Sequence, residues 1–271
     1  MSAAALEVFY SRPMDEIVAD PALAETHQTL LKALEAGEIR SASPQADGSW
    51  KANVWVKTAI LAGFRSTQTA EVPGWPGPSF DRTGFPPRAF KLEEGVRMVP
   101  GGSAVRRGAF VSSGVVIMPP AYINVGAFVD AGAMVDSHVL VGSCAQIGKN
   151  VHLSAAVQVG GVLEPAGAVP VIVEDEAFIG GNCGLYEGVI VRKRAVLAPG
   201  VLLTASTVIY DLVNGTTLTR EVPEGAVVVP GTRPASGDFA KAQGISLSAP
   251  CIVKYRDAKT NAATALEEAL R

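Results

Sequence analysis

Branched aliphatic residues recur at every sixth position through the middle of the chain. The series starts at Val105, continues without a gap to Val159, and resumes from Val173 to Ile209. A six-residue period matches neither the turn of an α-helix nor the two-residue alternation of a hairpin strand. It is typical of a parallel β-solenoid in which three short strands form each coil and the aliphatic anchor points into the core.

The six-residue count is interrupted once, because Val159 and Val173 are 14 positions apart. We therefore expect residues 164–172 to leave the coil as a loop. Loops that leave a solenoid often wall a binding site, and a tolerated insertion would produce the same interruption.

The chain before the solenoid follows a different pattern. Asp20 followed by Pro21 is typical of a helix start. Apolar residues then follow at helical spacing from Leu23 to Leu34, and a second apolar segment spans residues 50–64. These segments predict a small helical domain ahead of the coil.

The pattern divides the chain into three parts. We expect an N-terminal helical domain over residues 1–95, a hexapeptide-repeat β-helix over 96–212, and a C-terminal segment of strands and a closing helix over 213–271. The predicted fold class is mainly β. The C-terminal segment would cap the open end of the coil, as a solenoid requires.

Composition and charge narrow the class of function. Hydrophobic residues make up 48% of the chain and aromatic residues only 6%, so the core is aliphatic. A net charge of −3 favours neither a nucleic acid nor an anionic membrane as partner. The sequence has no basic start followed by an apolar leader, and no apolar stretch of about 18 residues. We therefore expect a cytoplasmic protein.

Cysteines and histidines are few, with three of each. The cysteines form no CxxC pair, so we expect neither a disulfide framework nor a zinc knuckle. A γ-type carbonic anhydrase shares this kind of coil and binds zinc through three imidazoles. Only His138 and His152 lie in the predicted coil, and we expect no metal.

Two neighbouring segments carry a resemblance to a known family. They read VGSCAQIGKNVHLS at residues 141–154 and GGVLEP at residues 160–165. With these segments the chain resembles tetrahydrodipicolinate N-succinyltransferase over nearly its whole length. The resemblance implies a homotrimer of left-handed parallel β-helices with acyl-CoA in the groove between subunits. The implied reaction moves a succinyl group from succinyl-CoA to the amine of a 2-amino-6-oxoheptanedioate, a step toward diaminopimelate and lysine.

The resemblance also implies roles for two residues that meet the acceptor. Arg97 corresponds to a substrate-binding arginine, and an arginine fork suits a dicarboxylate acceptor. Asp136 corresponds to the aspartate that contacts the acceptor amine. An amine must be neutral to attack, so a carboxylate there would hold and deprotonate the ammonium group.

Four further residues are the expected coenzyme A contacts. The backbone at Gly160 and Gly161 allows close approach of the thioester, whose oxyanion needs a fixed N–H donor. Ala205 is expected on the same groove. Arg192 belongs to a basic corner that could meet the phosphates of coenzyme A.

Several positions depart from the family pattern. The family's second catalytic glutamate maps onto Gly184, and a nearby arginine maps onto Asn182. Without that arginine the carboxylate of a succinyl group loses a natural partner. We therefore expect acetyl-CoA as the donor, as in a recruit to specialised metabolism such as the tabtoxin-biosynthesis acyltransferase, with succinyl-CoA as the alternative. His138, which titrates near neutrality, and Glu187 are the candidates to replace the missing carboxylate.

Two other classes of protein stay open. A hexapeptide acetyltransferase that acts on a hydroxyl or a sugar amine would depend on His138 as its base. A structural solenoid without activity would also fit the missing carboxylate, and binding of coenzyme A would separate it from the enzymes.

Overall fold

The computed structural model describes residues 1–72, 78–257 and 262. Its N-terminal part contains four helices because apolar residues at helical spacing pack into one cluster that includes Leu6, Leu30 and Ile60. The elements are α1 (Ala3–Tyr10), α2 (Met14–Ala19), α3 (Leu23–Glu35), β1 (Ala42–Pro44), β2 (Trp50–Ala52), α4 (Val54–Ser66), β3 (Thr69–Val72), β4 (Ser79–Arg82) and a 3₁₀ turn (Leu92–Glu94).

Two details of this part differ from the sequence prediction. Helix α3 is capped by Ala22, while Asp20 lies two residues earlier and accepts a hydrogen bond from the Ala22 amide. The apolar segment 50–64 divides into strand β2 and helix α4, because Trp50–Ala52 pairs with β1.

The central part is the predicted left-handed parallel β-helix. Strands of two residues follow one another onto three faces, and strands 18 residues apart usually pair, as Phe128 does with Phe110 and Gln146. Face 1 contains β5 (Arg97–Met98), β8 (Val116–Ile117), β11 (Met134–Val135), β14 (His152–Leu153), β17 (Phe178–Ile179) and β20 (Val196–Leu197). Face 2 contains β6 (Ala104–Val105), β9 (Tyr122–Ile123), β12 (Leu140–Val141), β15 (Gln158–Val159), β18 (Gly184–Leu185) and β21 (Leu202–Leu203). Face 3 contains β7 (Phe110–Val111), β10 (Phe128–Val129), β13 (Gln146–Ile147), β16 (Ile172–Val173) and β19 (Ile190–Val191).

The six-residue anchors line the inside of the coil. Val135, Val159 and Ile179 are fully buried, and they belong to one continuous aliphatic cluster that runs the length of the β-helix. The residue before each anchor points outward. Every outward side chain therefore lies on one of the three faces, and the residues after each strand form three corners, which we call the 1–2, 2–3 and 3–1 corners.

The N-terminal helices pack against face 3 and the 2–3 corner. The Arg40 guanidinium lies 3.7 Å from the ring centroid of Phe128 on face 3, and its Nε donates to Gln146 Oε1 at 2.9 Å. Cys144 at the 2–3 corner is buried in the helical cluster. On face 2, by contrast, Tyr122 and Leu202 keep 36% and 55% of their surface exposed.

The interruption in the repeat is an excursion at the 2–3 corner. Strands β15 and β16 follow each other around the coil, and residues 160–171 leave it between them. The expected loop 164–172 falls within this excursion except at its end, since Ile172 pairs with Ile190 and belongs to the coil.

Strands cap the far end of the β-helix. Strand β28 pairs with both β22 and β25 and extends face 1. The predicted helix at the sequence LEEAL lies outside the described residues. None of the helices in residues 1–72 and 78–257 is long and apolar enough to cross a membrane. The elements are β22 (Val208–Asp211), β23 (Thr216–Thr219), β24 (Glu221–Val222, on face 3), β25 (Ala226–Val229), β26 (Thr232–Pro234), α5 (Asp238–Ala242), β27 (Ser246–Ser248) and β28 (Cys251–Tyr255).

Candidate active site

The predicted acceptor residues lie on face 1 and at its edge. Arg97 is exposed on β5, and Asp136 follows β11 at the 1–2 corner, where it is half-buried. The Asp136 carboxylate accepts a hydrogen bond from the Ser137 amide at 2.7 Å, which fixes its orientation. Strands β5 and β11 are two coils apart, about 10 Å along the axis. One extended small molecule could reach both side chains.

A second histidine lies on the coil next to Asp136, since His152 of β14 pairs with Met134 of β11. His138 is exposed at the next turn, with a left-handed backbone conformation (φ 63°), and its carbonyl accepts from Gln158. His152 stacks on Phe178 with ring centroids 5.0 Å apart. Burial lowers the pKa of His152, and the Asp136 carboxylate partly opposes that shift. Among the two histidines of the coil, His152 is therefore the one whose pKa depends on the Asp136 carboxylate.

A cavity of about 480 Å³ lies at the 2–3 corner beside the excursion. Its lining includes the predicted Gly160, Gly161 and Glu187. The Glu187 carboxylate accepts from the Ala205 amide at 3.1 Å, so these two predicted residues form one contact at the rim. The lining residues are Gly160, Gly161, Val162, Glu164, Pro165, Ala168, Tyr186, Glu187 and Thr204.

The two glycines of this cavity differ in their backbone N–H groups. Gly160 donates its amide to the Leu185 carbonyl at 2.8 Å, a hydrogen bond of the coil. Within the described part of the chain, no acceptor bonds to the Gly161 amide. The Gly160 amide is therefore already used by the coil, whereas the Gly161 amide is not.

Tyr186 is the residue of this cavity that sequence reasoning missed. A Cβ atom at Gly184 would lie 2.5 Å from Tyr186 Cε2 and 2.8 Å from its hydroxyl oxygen. One at Gly160 would lie 2.9 Å from Tyr186 Cδ1. The phenol ring therefore covers both glycines and occupies the space next to Gly184. The sequence carries one cue to this contact, an aromatic residue two positions after a glycine that faces outward from its strand.

Arg192 lies away from this cavity, at the 3–1 corner. Its guanidinium forms ion pairs with Glu174 at 2.9 Å and Glu221 at 2.8 Å, and it also donates to the Gly48 carbonyl. The arginine thus joins the coil to the N-terminal part. Its charge is already neutralised, which does not favour the expected contact with phosphates of coenzyme A.

Asp136 and the cavity occupy different corners of the coil. Asp136 precedes face 2 at the level of β12, and Gly161 follows face 2 at the level of β15. Face 2 separates them within one chain. Among the described residues there is also no group of three or more His, Cys, Asp or Glu side chains that could hold a metal ion.

Comparison with known proteins identifies the family. Residues 9–66 match a model described as tetrahydrodipicolinate N-succinyltransferase N-terminal, and residues 170–205 match a hexapeptide repeat of succinyl-transferase. A 2,3,4,5-tetrahydropyridine-2,6-dicarboxylate N-succinyltransferase of Nitrobacter hamburgensis is 43% identical over the full length of both chains. The chain belongs to the tetrahydrodipicolinate N-succinyltransferase family. It is therefore an acyltransferase, as the sequence resemblance predicted.

A second curated relative agrees with this family. An enzyme of the same name from Afipia carboxidovorans is 44% identical over 89% of this chain and 87% of its own length. Among solved structures, a putative 2,3,4,5-tetrahydropyridine-2-carboxylate N-succinyltransferase from Campylobacter jejuni aligns with a TM-score of 0.43 and 14% identity. It covers 83% of this chain and 62% of that protein.

Proposed function

We propose that this protein transfers a succinyl group from succinyl-CoA to the amine of a tetrahydrodipicolinate-derived 2-amino dicarboxylate, in lysine and diaminopimelate synthesis. The observation that carries the proposal is the 43% identity over the full length of both chains to an N-succinyltransferase. That identity favours succinyl-CoA over the acetyl-CoA that the residues at Gly184 and Asn182 suggested.

The proposed mechanism begins with the acceptor. The guanidinium of Arg97 binds one acceptor carboxylate, and the Asp136 carboxylate holds the ammonium group and removes a proton from it. The neutral nitrogen then attacks the thioester carbonyl carbon. His152 is half-buried on β14, the strand next to β11 on face 1, and is a group to which that proton can pass.

The donor half of the reaction takes place at the 2–3 cavity. The Gly161 amide donates a hydrogen bond to the thioester oxygen as negative charge develops on it. When the tetrahedral intermediate collapses, the carbon–sulfur bond breaks and the amide remains on the acceptor. The nitrogen gives up its second proton as the amide forms, and the coenzyme A thiolate takes up one proton and leaves as the thiol. The other proton is released to solvent.

We propose that the site is completed between copies of the chain, in a homotrimer. Asp136 and Gly161 lie at opposite edges of face 2, and exposed apolar side chains such as Leu202 on that face suit contact with a second copy. The test mixes two variants that are each expected to be inactive, Asp136→Asn and Gly161→Val. The activity of the mixture is measured before and after the subunits have exchanged. Recovery of activity in mixed oligomers is expected. A monomer by sedimentation, or mixed oligomers that stay inactive, would contradict a shared site.

The donor is tested by steady-state kinetics with the purified protein. Release of free thiol is followed with succinyl-CoA or acetyl-CoA and with 2-aminopimelate as acceptor. The proposal predicts a higher kcat/KM with succinyl-CoA. A higher kcat/KM with acetyl-CoA would support the donor expected from Gly184 and Asn182. Turnover only with a hydroxyl or sugar-amine acceptor would favour a hexapeptide acetyltransferase that depends on His138.

A further inference from the structure

The excursion at residues 160–171 forms one wall of the donor cavity. Glu164, Pro165 and Ala168 all line it. A turn closes the middle of the excursion, since the Ala168 amide donates to the Pro165 carbonyl at 3.0 Å. The position of this turn therefore decides the width of the groove in which acyl-CoA would lie.

A lysine of the N-terminal part reaches this turn. Lys57 belongs to helix α4, it is completely buried, and its Nζ donates to the Ala168 carbonyl at 2.5 Å. The two residues are 111 positions apart in the sequence. Lys57 thus connects the helical part directly to the wall of the cavity.

The burial of Lys57 is costly, which indicates that the ammonium group has a purpose. Transfer of an unpaired ammonium from water into a protein interior is strongly unfavourable. Burial lowers the pKa of Lys57. Within the described part of the chain, no carboxylate forms an ion pair with it, and the Ala168 carbonyl is its acceptor. An apolar side chain of similar length would fill the same space without this cost.

Two further contacts hold the excursion against its surroundings. Leu163 packs against the helical cluster that contains Ile60. The Val169 carbonyl packs closely against Gly188. A Cβ atom at Gly188 would approach that carbonyl oxygen to 2.5 Å. Both contacts are apolar or steric. Lys57 provides the directional contact that fixes the turn between them.

We propose that Lys57 is a positioning residue for the acyl donor: its ammonium group holds the Ala168 carbonyl and so keeps residues 163–170 in place as the wall of the donor groove. The helical part then contributes to donor binding through this residue without touching the reacting atoms. The inference rests on the proposed function, because it takes the cavity to be the donor site.

The test compares Lys57→Met, which removes the donor, with Lys57→Gln, which keeps a neutral donor. Both side chains are one bond shorter than lysine, so the two variants differ in the donor and not in length. Lys32→Met, at an exposed position of α3, is the matched control. A misplaced wall weakens binding of the donor more than the chemical step, so KM for acyl-CoA should rise about tenfold in Lys57→Met with kcat changed less than about threefold. Lys57→Gln should fall between wild type and Lys57→Met. An unchanged KM in Lys57→Met, or a loss confined to kcat, would overturn the proposal.

Hydrogen exchange of the backbone amides provides a readout that does not need activity. Exchange in residues 163–170 should be faster in Lys57→Met than in Lys32→Met, and coenzyme A should slow it in the wild-type protein. If wild type transfers no acyl group but both exchange results hold, the proposed function fails and the positioning role stands. If Lys57→Met does not fold, Lys57→Gln takes its place in both measurements. An unchanged KM together with unchanged exchange in residues 163–170 of Lys57→Gln would then overturn the proposal.

Discussion

At the residue scale, the account depends most on Asp136. Its carboxylate is oriented by the Ser137 amide and has an imidazole beside it, although its position just after a core anchor is usually only solvent-facing. The same local arrangement recurs one hexad earlier, where Asp130 accepts a hydrogen bond from the Ala131 amide. The two aspartates therefore share one local backbone arrangement and differ in their surroundings, which makes Asp130 a matched control for Asp136.

Replacement of Asp136 by Asn should abolish most activity and leave the fold intact. The Asn side chain can still accept from the Ser137 amide, but it cannot deprotonate the acceptor, so kcat/KM should fall by at least about 100-fold. Asp130→Asn is the control and should lose much less. Equal losses in the two variants, measured by thiol release, would show that the carboxylate of Asp136 has no special role.

Replacement of Gly184 by Ala should weaken donor binding through Tyr186. The new methyl group would displace the phenol ring toward the cavity, and KM for acyl-CoA should rise by about three- to tenfold. Tyr186→Val in the same chain should cancel most of that rise, because the ring is gone. Additive effects in this double-mutant cycle would mean that the two residues act independently.

Sequence could identify only part of the site. Asp136, Gly160 and Gly161 were predicted through motifs that match a family. Tyr186 and Lys57 were missed because their roles depend on side-chain direction. Tyr186 folds back over a glycine two residues away, and Lys57 contacts a backbone carbonyl in a distant loop. The Lys57 contact has no signature in spacing, and the only one for Tyr186 is its place two positions after a glycine.

At the element scale, the coil could be predicted well because its requirement is strict. An inward position in a strand of two residues must be apolar in every turn, so the period is visible in the sequence. Helices α1 and α2 were missed, since segments of eight and six residues present too few positions for a clear helical period. The hairpin of β1 and β2 was missed for the same reason.

Arg192 stabilises the fold at the element scale, because its side chain connects the coil to the N-terminal part. Arg192→Gln should lower the free energy of unfolding by about 1–3 kcal/mol, because Glu174 and Glu221 lose their partner and the former is largely buried. KM for acyl-CoA should stay within about twofold of wild type. Urea denaturation and donor kinetics on the same preparation check both parts. A large rise in KM with unchanged stability would instead place coenzyme A phosphates at this corner.

At the scale of the whole molecule, the burial of His27 in the N-terminal part makes the stability of the protein depend on pH. His27 is 3% exposed, and its Nε2 lies 3.3 Å from the Gly84 carbonyl oxygen. Burial lowers its pKa below the usual value of 6.5. The folded protein therefore binds fewer protons than the unfolded chain at mildly acidic pH, and stability must fall as the pH is lowered.

We expect the free energy of unfolding to decrease as the pH falls from about 7 to about 5, because the unfolded chain then binds a proton that the buried imidazole resists. His27→Gln should show a smaller decrease, because the group that must titrate is absent. The comparison at pH 8, where the imidazole is neutral in both states, measures the packing effect of the substitution separately. Equal pH slopes in the two proteins would contradict this role for His27.

The coverage of the three faces is also a property of the whole molecule. The helical part covers face 3 and the 2–3 corner, whereas face 2, between Asp136 and the donor cavity, keeps exposed apolar side chains. The sequence alone could not assign which face would be covered, because all three faces follow the same repeat.

The most direct test of the central claim is a competition between donors. The purified protein is given equal concentrations of succinyl-CoA and acetyl-CoA with one amino dicarboxylate acceptor, and the product is identified by mass spectrometry. The account predicts an acceptor that carries a succinyl group on its amine as the main product. A product that is mainly acetylated, or an acceptor left unmodified while both thioesters stay intact, would contradict it.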